Sequence, residues 1–97
     1  RFLLINVMKL IKATDGIHKY VAVFNDKRVP FGALGYSDFI ESGNEVKKAA
    51  YLARHQVTED WNNPKTPGSL SRWILWGPTK SLSKNIQLFK QRFHITD

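Results

Sequence analysis

The amino-acid sequence predicts an α+β fold, a small N-terminal antiparallel three-stranded sheet followed by three short helices packed on it. Branched and aromatic residues dominate the first third of the chain, whereas apolar residues recur with helical spacing after residue 44. Strands and helices that are segregated along a chain argue against a doubly wound sheet. Because 97 residues is the size of one domain, we expect a single domain over 1–97. It comprises a β-meander at 1–33 and a helical part at 44–93.

The three predicted strands follow one another through short turns. Residues 2–11 are rich in strand formers, and Thr-Asp-Gly at 14–16 supplies the chemistry of a reversing turn. Residues 20–24 form the second strand, and residues 28–32 form a third extended segment. Because Pro30 has no N–H to donate, we expect this third strand at an edge of the sheet.

The first predicted helix follows an irregular, glycine-rich stretch at 32–43, which we expect to carry Tyr36 and Phe39 inward. Asn44 is a suitable N-cap for this helix. Its apolar face is predicted from residues spaced three, four, seven and eleven positions after the first: Val46, Ala49, Ala50, Ala53 and Val57.

Two further helices follow a loop at 62–68, which contains two prolines and a glycine. Ser69 or Ser71 is expected to cap a short helix through Trp73 and Trp76. The last helix has the clearest pattern, with Thr79 or Ser81 as its cap. Its apolar face is predicted to consist of Leu82, Ile86, Phe89 and Phe93.

The composition excludes several classes of function. The sequence contains no cysteine, which rules out disulfides, thiolate zinc sites, iron–sulfur clusters and a cysteine nucleophile. No apolar run reaches the 18 or so residues of a membrane span. The formal net charge of +7 favours an anionic partner.

The densest set of residues with catalytic side chains lies at 54–60. His55 and Glu59 are four apart and share a face if the helix persists that far, and Asp60 follows. A hydrolytic metal site needs about three protein ligands, and no motif surrounds the other histidines. We therefore expect no catalytic residue, metal or cofactor, and interpret these side chains as a structural network in which Arg54 and His55 pair with Glu59 and Asp60. Its members are Arg54, His55, Glu59, Asp60, Trp61, Trp73 and Trp76.

The tryptophans and the basic residues leave alternatives open. Trp73 and Trp76 either stack on nucleic-acid bases or cover the small core, and the core is favoured because few other large side chains fill it. Seven basic side chains are candidates for binding a polyanion or a partner, although an ordinary solvated face is the competing reading. They are Lys47, Lys48, Arg54, Lys80, Lys84, Lys90 and Arg92.

Four blocks of the sequence carry a resemblance to a known family: FGALGYSDF at 31–39, YLARHQVTEDW at 51–61, LSRWILW at 70–76 and FKQRF at 89–93. The chain from about Lys19 to Phe93 resembles small basic proteins encoded by large double-stranded DNA viruses of eukaryotes, notably algal viruses and mimivirus relatives. The resemblance implies a virus-encoded protein that is packaged in the virion. It brings no catalytic residues with it.

These observations favour a non-enzymatic structural virion protein, a minor capsid or cement protein that contacts other major and minor capsid proteins. We expect it in the virion capsid, and in the host cytoplasm during assembly. The alternative is a basic DNA-binding protein of genome packaging, with weak and non-specific contacts to DNA. A small metal-dependent nuclease at His55, Glu59 and Asp60 is the second alternative. A capsid protein should expose apolar side chains, a DNA binder a continuous basic face, and an enzyme a polar cleft.

Overall fold

The computed structural model describes residues 7–96 and confirms the α+β architecture. The strands are β1 (Met8–Lys12), β2 (His18–Phe24) and β3 (Arg28–Ala33). The helices are α1 (Phe39–Ser42), α2 (Glu45–His55), α3 (Pro67–Leu70), a π-helical segment (Ser71–Leu75) and α4 (Leu82–Phe93). Residues 2–6 of the predicted first strand lie outside the described residues. Over 7–96, no helix has the length and apolar character needed to cross a bilayer.

The three strands form an antiparallel sheet in the order β1-β2-β3. Met8 lies opposite Phe24, and Tyr20 lies opposite Phe31. The strand that contains Pro30, β3, is at an edge of the sheet, as predicted. An edge strand hydrogen-bonds to a strand on one side only, so it tolerates a residue without an N–H. The sheet therefore offers one face to the helices.

The core lies between the sheet and the C-terminal helices. Its buried apolar residues are Met8, Ala22, Phe24, Val29, Phe31, Leu70, Ile74, Leu75, Phe89 and Ile95. Gly32 lets the π-helical segment approach β3 closely, because a Cβ there would lie 2.9 Å from Leu75 Cδ1. Its φ of +79° also favours glycine.

The apolar face predicted for the last helix is confirmed. Phe89 is fully buried, and the other three members of the face pack against the core while partly buried. Ser81 is the N-cap, because its hydroxyl accepts a hydrogen bond from the Lys84 N–H at 3.2 Å. The same helix also buries Asn85 completely, which the apolar pattern did not indicate.

The prediction of a buried apolar face on α2 is wrong. Asn44 caps this helix as expected, but none of its residues is buried, and Val46 and Val57 are 79% and 77% exposed. The helix instead turns Tyr51 inward, with its ring stacked on Trp76 at 4.4 Å. A stacked aromatic pair buries far more area than a row of alanines, so the rings decide the orientation of the helix.

Three smaller expectations also fail. Tyr36 is exposed rather than inward, although Phe39 is buried as predicted. Phe39–Ser42 forms the short helix α1 instead of irregular backbone, because Asp38 and Glu41 provide a capping box. Thr66, rather than a serine, caps α3 through its hydroxyl, which accepts from the Ser69 N–H at 3.2 Å.

Phe89→Ala tests the packing of α4 on the core. Because the ring is fully buried, we expect a loss of about 3 to 5 kcal/mol in the free energy of unfolding. Denaturant unfolding followed by circular dichroism measures this loss. Gln87→Ala, at an exposed position of the same helix, is the control and should change stability little. Equal unfolding midpoints for the two variants would contradict this packing.

Candidate functional site

A groove of about 870 Å³ lies between the edge of the sheet and α2. Phe31 and Ala33 of β3 line one side, and Lys47, Tyr51 and Arg54 of α2 line the other. Clefts of about 300 to 1,000 Å³ are the usual size of small-ligand sites. The groove is therefore the candidate functional site.

Tyr51 forms part of this groove as the central ring of a three-ring stack. Its centroid lies 4.1 Å from that of His55 and 4.4 Å from that of Trp76, and the latter pair is nearly parallel at 7°. Burial, reinforced by the negative charge of Glu59, raises the pKa of Tyr51 to about 12. The phenol therefore stays neutral at physiological pH, and both faces of its ring are already occupied.

Glu59 joins the end of α2 to the loop that follows it. Its Oε2 lies 2.7 Å from His55 Nδ1, and its Oε1 accepts a hydrogen bond from Trp61 Nε1 at 2.9 Å. A Cβ on Gly68 would lie 2.9 Å from the same Oε1, so the Glu59 side chain passes directly over the first turn of α3. These contacts agree with a structural role for His55, Glu59 and Trp61.

The expected ion pairs of Arg54 are absent. Among residues 7–96, Arg54 makes no salt bridge and lies exposed at the groove. Asp60 instead caps a local turn, with Oδ1 accepting from the Asn62 N–H at 3.0 Å. The carboxylate oxygens of Glu59 contact His55 and Trp61, and neither Glu59 nor Asp60 pairs with Arg54.

The pair formed by His55 and Glu59 is only part of what a catalytic or metal site needs. A carboxylate that holds one imidazole nitrogen is a common element of catalytic and metal sites, because it fixes the orientation of the ring. Within the part of the chain that the structure describes, no group of three or more His, Asp or Glu side chains is arranged to hold a metal ion. The absence of enzyme activity stays a prediction.

Trp73 lies outside the groove, between two arginines. The guanidinium carbons of Arg72 and Arg92 lie 4.2 and 3.7 Å from its ring centroid. Its Nε1 donates to the Trp61 carbonyl at 2.9 Å. Burial, with a smaller contribution from the Arg92 charge, lowers the pKa of Arg72. Trp73 and Trp76 both pack against the core, which agrees with the core-covering reading.

The seven basic candidates do not form one stripe. Lys47 and Arg54 line the groove, whereas Arg92 and Lys90 line two other depressions on α4, where Lys84 is exposed. The helical periodicity of α2 and α4 places each residue on its helix, but it does not give the relative orientation of the helices.

Two of the five lysines among these seven candidates lie against the backbone at turns. Lys48 Nζ donates to the Gly77 carbonyl at 2.8 Å. Lys80 passes over Gly43, where an added Cβ would lie 2.9 Å from its Nζ. The Lys48 ammonium group is therefore engaged in a hydrogen bond within the chain, and the Lys80 side chain lies against the backbone at Gly43.

Lys19 forms an ion-pair cluster that the sequence analysis missed. Its Nζ lies 2.7 Å from Asp38 Oδ2 and 2.8 Å from Glu41 Oε1. Burial opposes the charge of Lys19, but the two hydrogen bonds outweigh it and raise the pKa of Lys19. Lys19 in turn holds the pKa of Glu41 below its ordinary value. Only the Asp38-x-x-Glu41 spacing signalled part of this cluster, as a capping box.

A comparison with known families finds one likeness. Residues 8–55 match the model of a family of unknown function, DUF5754. No curated protein and no solved structure matches the chain. The matched segment covers the sheet and the groove-lining helix α2, so the likeness includes most of the groove and ends before Glu59. Its description names no activity, and the resemblance to viral proteins stays a prediction.

Lys19→Met tests the ion-pair cluster. Because the variant leaves the buried Asp38 carboxylate without its cation, we expect a loss of about 2 kcal/mol at neutral pH. The raised pKa means that the Lys19 contribution is complete below its ordinary value of 10.5 and is lost at higher pH. The lowered pKa of Glu41 means that its contribution is complete above 4.5 and is lost as the solution is acidified.

Denaturant unfolding between about pH 3.5 and about pH 11.5, one unit beyond these two values, measures the effect. The stability difference between wild type and Lys19→Met should shrink at both ends of the range. Lys12→Met, at an exposed position of β1, should show no such profile. A difference that does not change with pH would count against the cluster.

Glu59→Ala tests the junction between α2 and α3. The variant removes the acceptor of Trp61 Nε1 and the partner of His55, so we expect a loss of about 1 to 3 kcal/mol. Arg54→Ala is the control and should leave stability unchanged. Thermal unfolding with and without added Mg²⁺, Mn²⁺ or Zn²⁺ completes the test. A metal-induced rise in the midpoint that His55→Ala abolishes would show that the pair belongs to a metal site.

Proposed function

We propose that this chain is a structural protein of a virus particle, a minor capsid or cement protein that binds neighbouring capsid proteins. One observation carries the proposal: large apolar side chains are exposed at the end of the sheet. Ile17 and Leu34 are 65% and 50% exposed, and they lie side by side because the Leu34 N–H donates to the Ile17 carbonyl at 3.0 Å. Clustered apolar side chains on a small surface are typical of protein contacts.

The outer face of α2 adds apolar surface to this proposal. Val46 lies in the first turn of α2 and Val57 lies two residues beyond its end, and Ala49 and Ala53 between them are also exposed. A helix of eleven residues gains most of its stability from packing, and this one has no buried residue. A neighbouring protein that covers the face would supply the missing packing.

The viral setting of the proposal rests on the resemblance of the motif blocks. The protein would then act in the capsid of the virion, with the host cytoplasm as its location during assembly. Its elongated shape, 47 × 26 × 25 Å, suits a protein that fills the space between larger capsid units. No catalytic step is part of this function.

The two alternatives have less support. Genome packaging on duplex DNA calls for a continuous basic face, and the seven basic candidates lie on several surfaces. A metal-dependent nuclease calls for a third ligand beside His55 and Glu59, and Asp60 is engaged in a loop turn.

Incorporation into particles tests the capsid role. The double variant Ile17→Ser with Leu34→Ser should reduce the copy number per virion tenfold or more. Each buried aliphatic side chain contributes about 1.5 to 3 kcal/mol to a contact, and about 1.4 kcal/mol corresponds to a factor of ten. Quantitative mass spectrometry of virions purified from cells that express the tagged variants measures the copy number.

The matched control is Ile17→Val with Leu34→Met, which keeps the surface apolar and should be incorporated normally. Circular dichroism establishes that all variants fold. Absence of the wild-type protein from purified virions would contradict the proposal. Equal incorporation of the serine variant and the control would place the contact elsewhere.

A further inference from the structure

The groove between β3 and α2 is lined by more cations than carboxylates, with Lys19, Lys47 and Arg54 against Asp38. Lys47 and Arg54 line it two helical turns apart, about 10 Å along the axis. Lys47 Nζ donates to the neutral Ser37 hydroxyl at 3.0 Å, and Arg54 has no ion pair among residues 7–96. These two cations therefore lie on one side of the groove.

The acidic side chain that lines this groove is paired within the chain. Among the described residues that line the groove, Asp38 is the one carboxylate, and it is bound by Lys19 at 2.7 Å. Glu59 is likewise occupied by His55 and Trp61. Lys19 carries one charge against the two carboxylates of Asp38 and Glu41, and the Glu41 charge also acts on Lys47. Arg54 is therefore the cation that an entering anion meets without a carboxylate partner.

An exposed aromatic ring also lines this groove. Tyr36 lines it and is 74% exposed, so its ring is available for stacking. Tyr51 does not offer a face, because His55 and Trp76 cover both sides of its ring. The groove thus combines cations along one side with one unoccupied aromatic platform.

We propose that this groove binds single-stranded nucleic acid, with backbone phosphates at Lys47 and Arg54 and a base stacked on Tyr36. A basic channel with an exposed ring is the general design of sequence-independent single-strand binding. This activity goes beyond the capsid role and uses a different set of side chains. A phosphate-bearing chain in the groove would also compensate part of the net charge of +7.

The geometry favours a single strand over a duplex. The groove separates one strand from one helix on a molecule about 25 Å across. A duplex keeps its bases paired and stacked inside, so it cannot place a base on Tyr36 without unpairing it. An unpaired strand can place a base there directly. An acidic peptide would neutralise the cations but would gain nothing specific from the ring.

Fluorescence anisotropy with a labelled oligo(dT) strand and the full chain tests the proposal. Tyr36→Ala should weaken binding about tenfold, because stacking of one base is lost, and Tyr36→Phe should retain the wild-type affinity. Arg54→Gln should weaken binding and reduce the slope of log K against log salt by about 0.7, the value for one phosphate contact on a single strand. A duplex of the same length should bind more weakly than the single strand.

Lys84→Gln is the matched control, since it removes the same charge from an exposed position of α4 outside the groove. It should change affinity much less than Arg54→Gln does. Tyr36 and Arg54 are both exposed, so their variants should unfold at the wild-type temperature. Equal effects of Arg54→Gln and Lys84→Gln would show diffuse charge attraction and overturn the proposal. Equal or tighter binding of the duplex, or equal binding by Tyr36→Ala and Tyr36→Phe, would overturn it as well.

Discussion

The fully buried amide of Asn85 is the constraint on which the helical half of the structure depends. Its Nδ2 donates to the carbonyls of Ile74 and Thr79, both at 2.8 Å. Its Oδ1 accepts from the Thr79 N–H at 3.1 Å and from the Thr79 hydroxyl at 2.7 Å. A side-chain amide has just this capacity of two donated and two accepted bonds, so no buried polar atom of Asn85 is left unsatisfied. One side chain thereby joins α4, the end of the π-helical segment and the turn between them.

This junction also determines where the groove lies. The π-helical segment ends with the Trp76 N–H donating to the Ser71 carbonyl at 2.9 Å, and the chain then turns at Gly77, where any Cβ would collide with the Trp73 carbonyl and with Asn85. Trp76 is thus held in position to stack on Tyr51. The attachment of α2 therefore rests on ring stacking and on Lys48 bound to the Gly77 carbonyl, rather than on an apolar seam.

Local patterns predicted the parts of the fold that depend on neighbours in the sequence. The spacing of apolar residues located the buried face of α4, Ser81 marked its start, and Pro30 marked the edge strand. The orientation of α2 was not predictable in this way, because small alanines contribute little burial and the decisive ring, Trp76, is distant in the sequence. The pairing of Lys19 with Asp38 bridges 19 positions and has no periodic signal. The sequence identified Lys47 and Arg54 as candidates for binding a partner. It did not predict the groove that brings them together.

The charge of the groove follows from the same contacts that stabilise the fold. The two oxygens of Glu59 contact His55 Nδ1 and Trp61 Nε1, two partly buried side-chain nitrogens that need a hydrogen-bond partner at the end of α2. Arg54, one residue before His55, consequently has no acceptor there and turns to the groove. Lys19 neutralises Asp38 on the opposite side for a similar reason, since a buried carboxylate needs a cation. Because Asp38 and Glu59 are engaged by other groups of the chain, Arg54 is left without a carboxylate partner, and the positive charge at the groove follows from how this small core is closed.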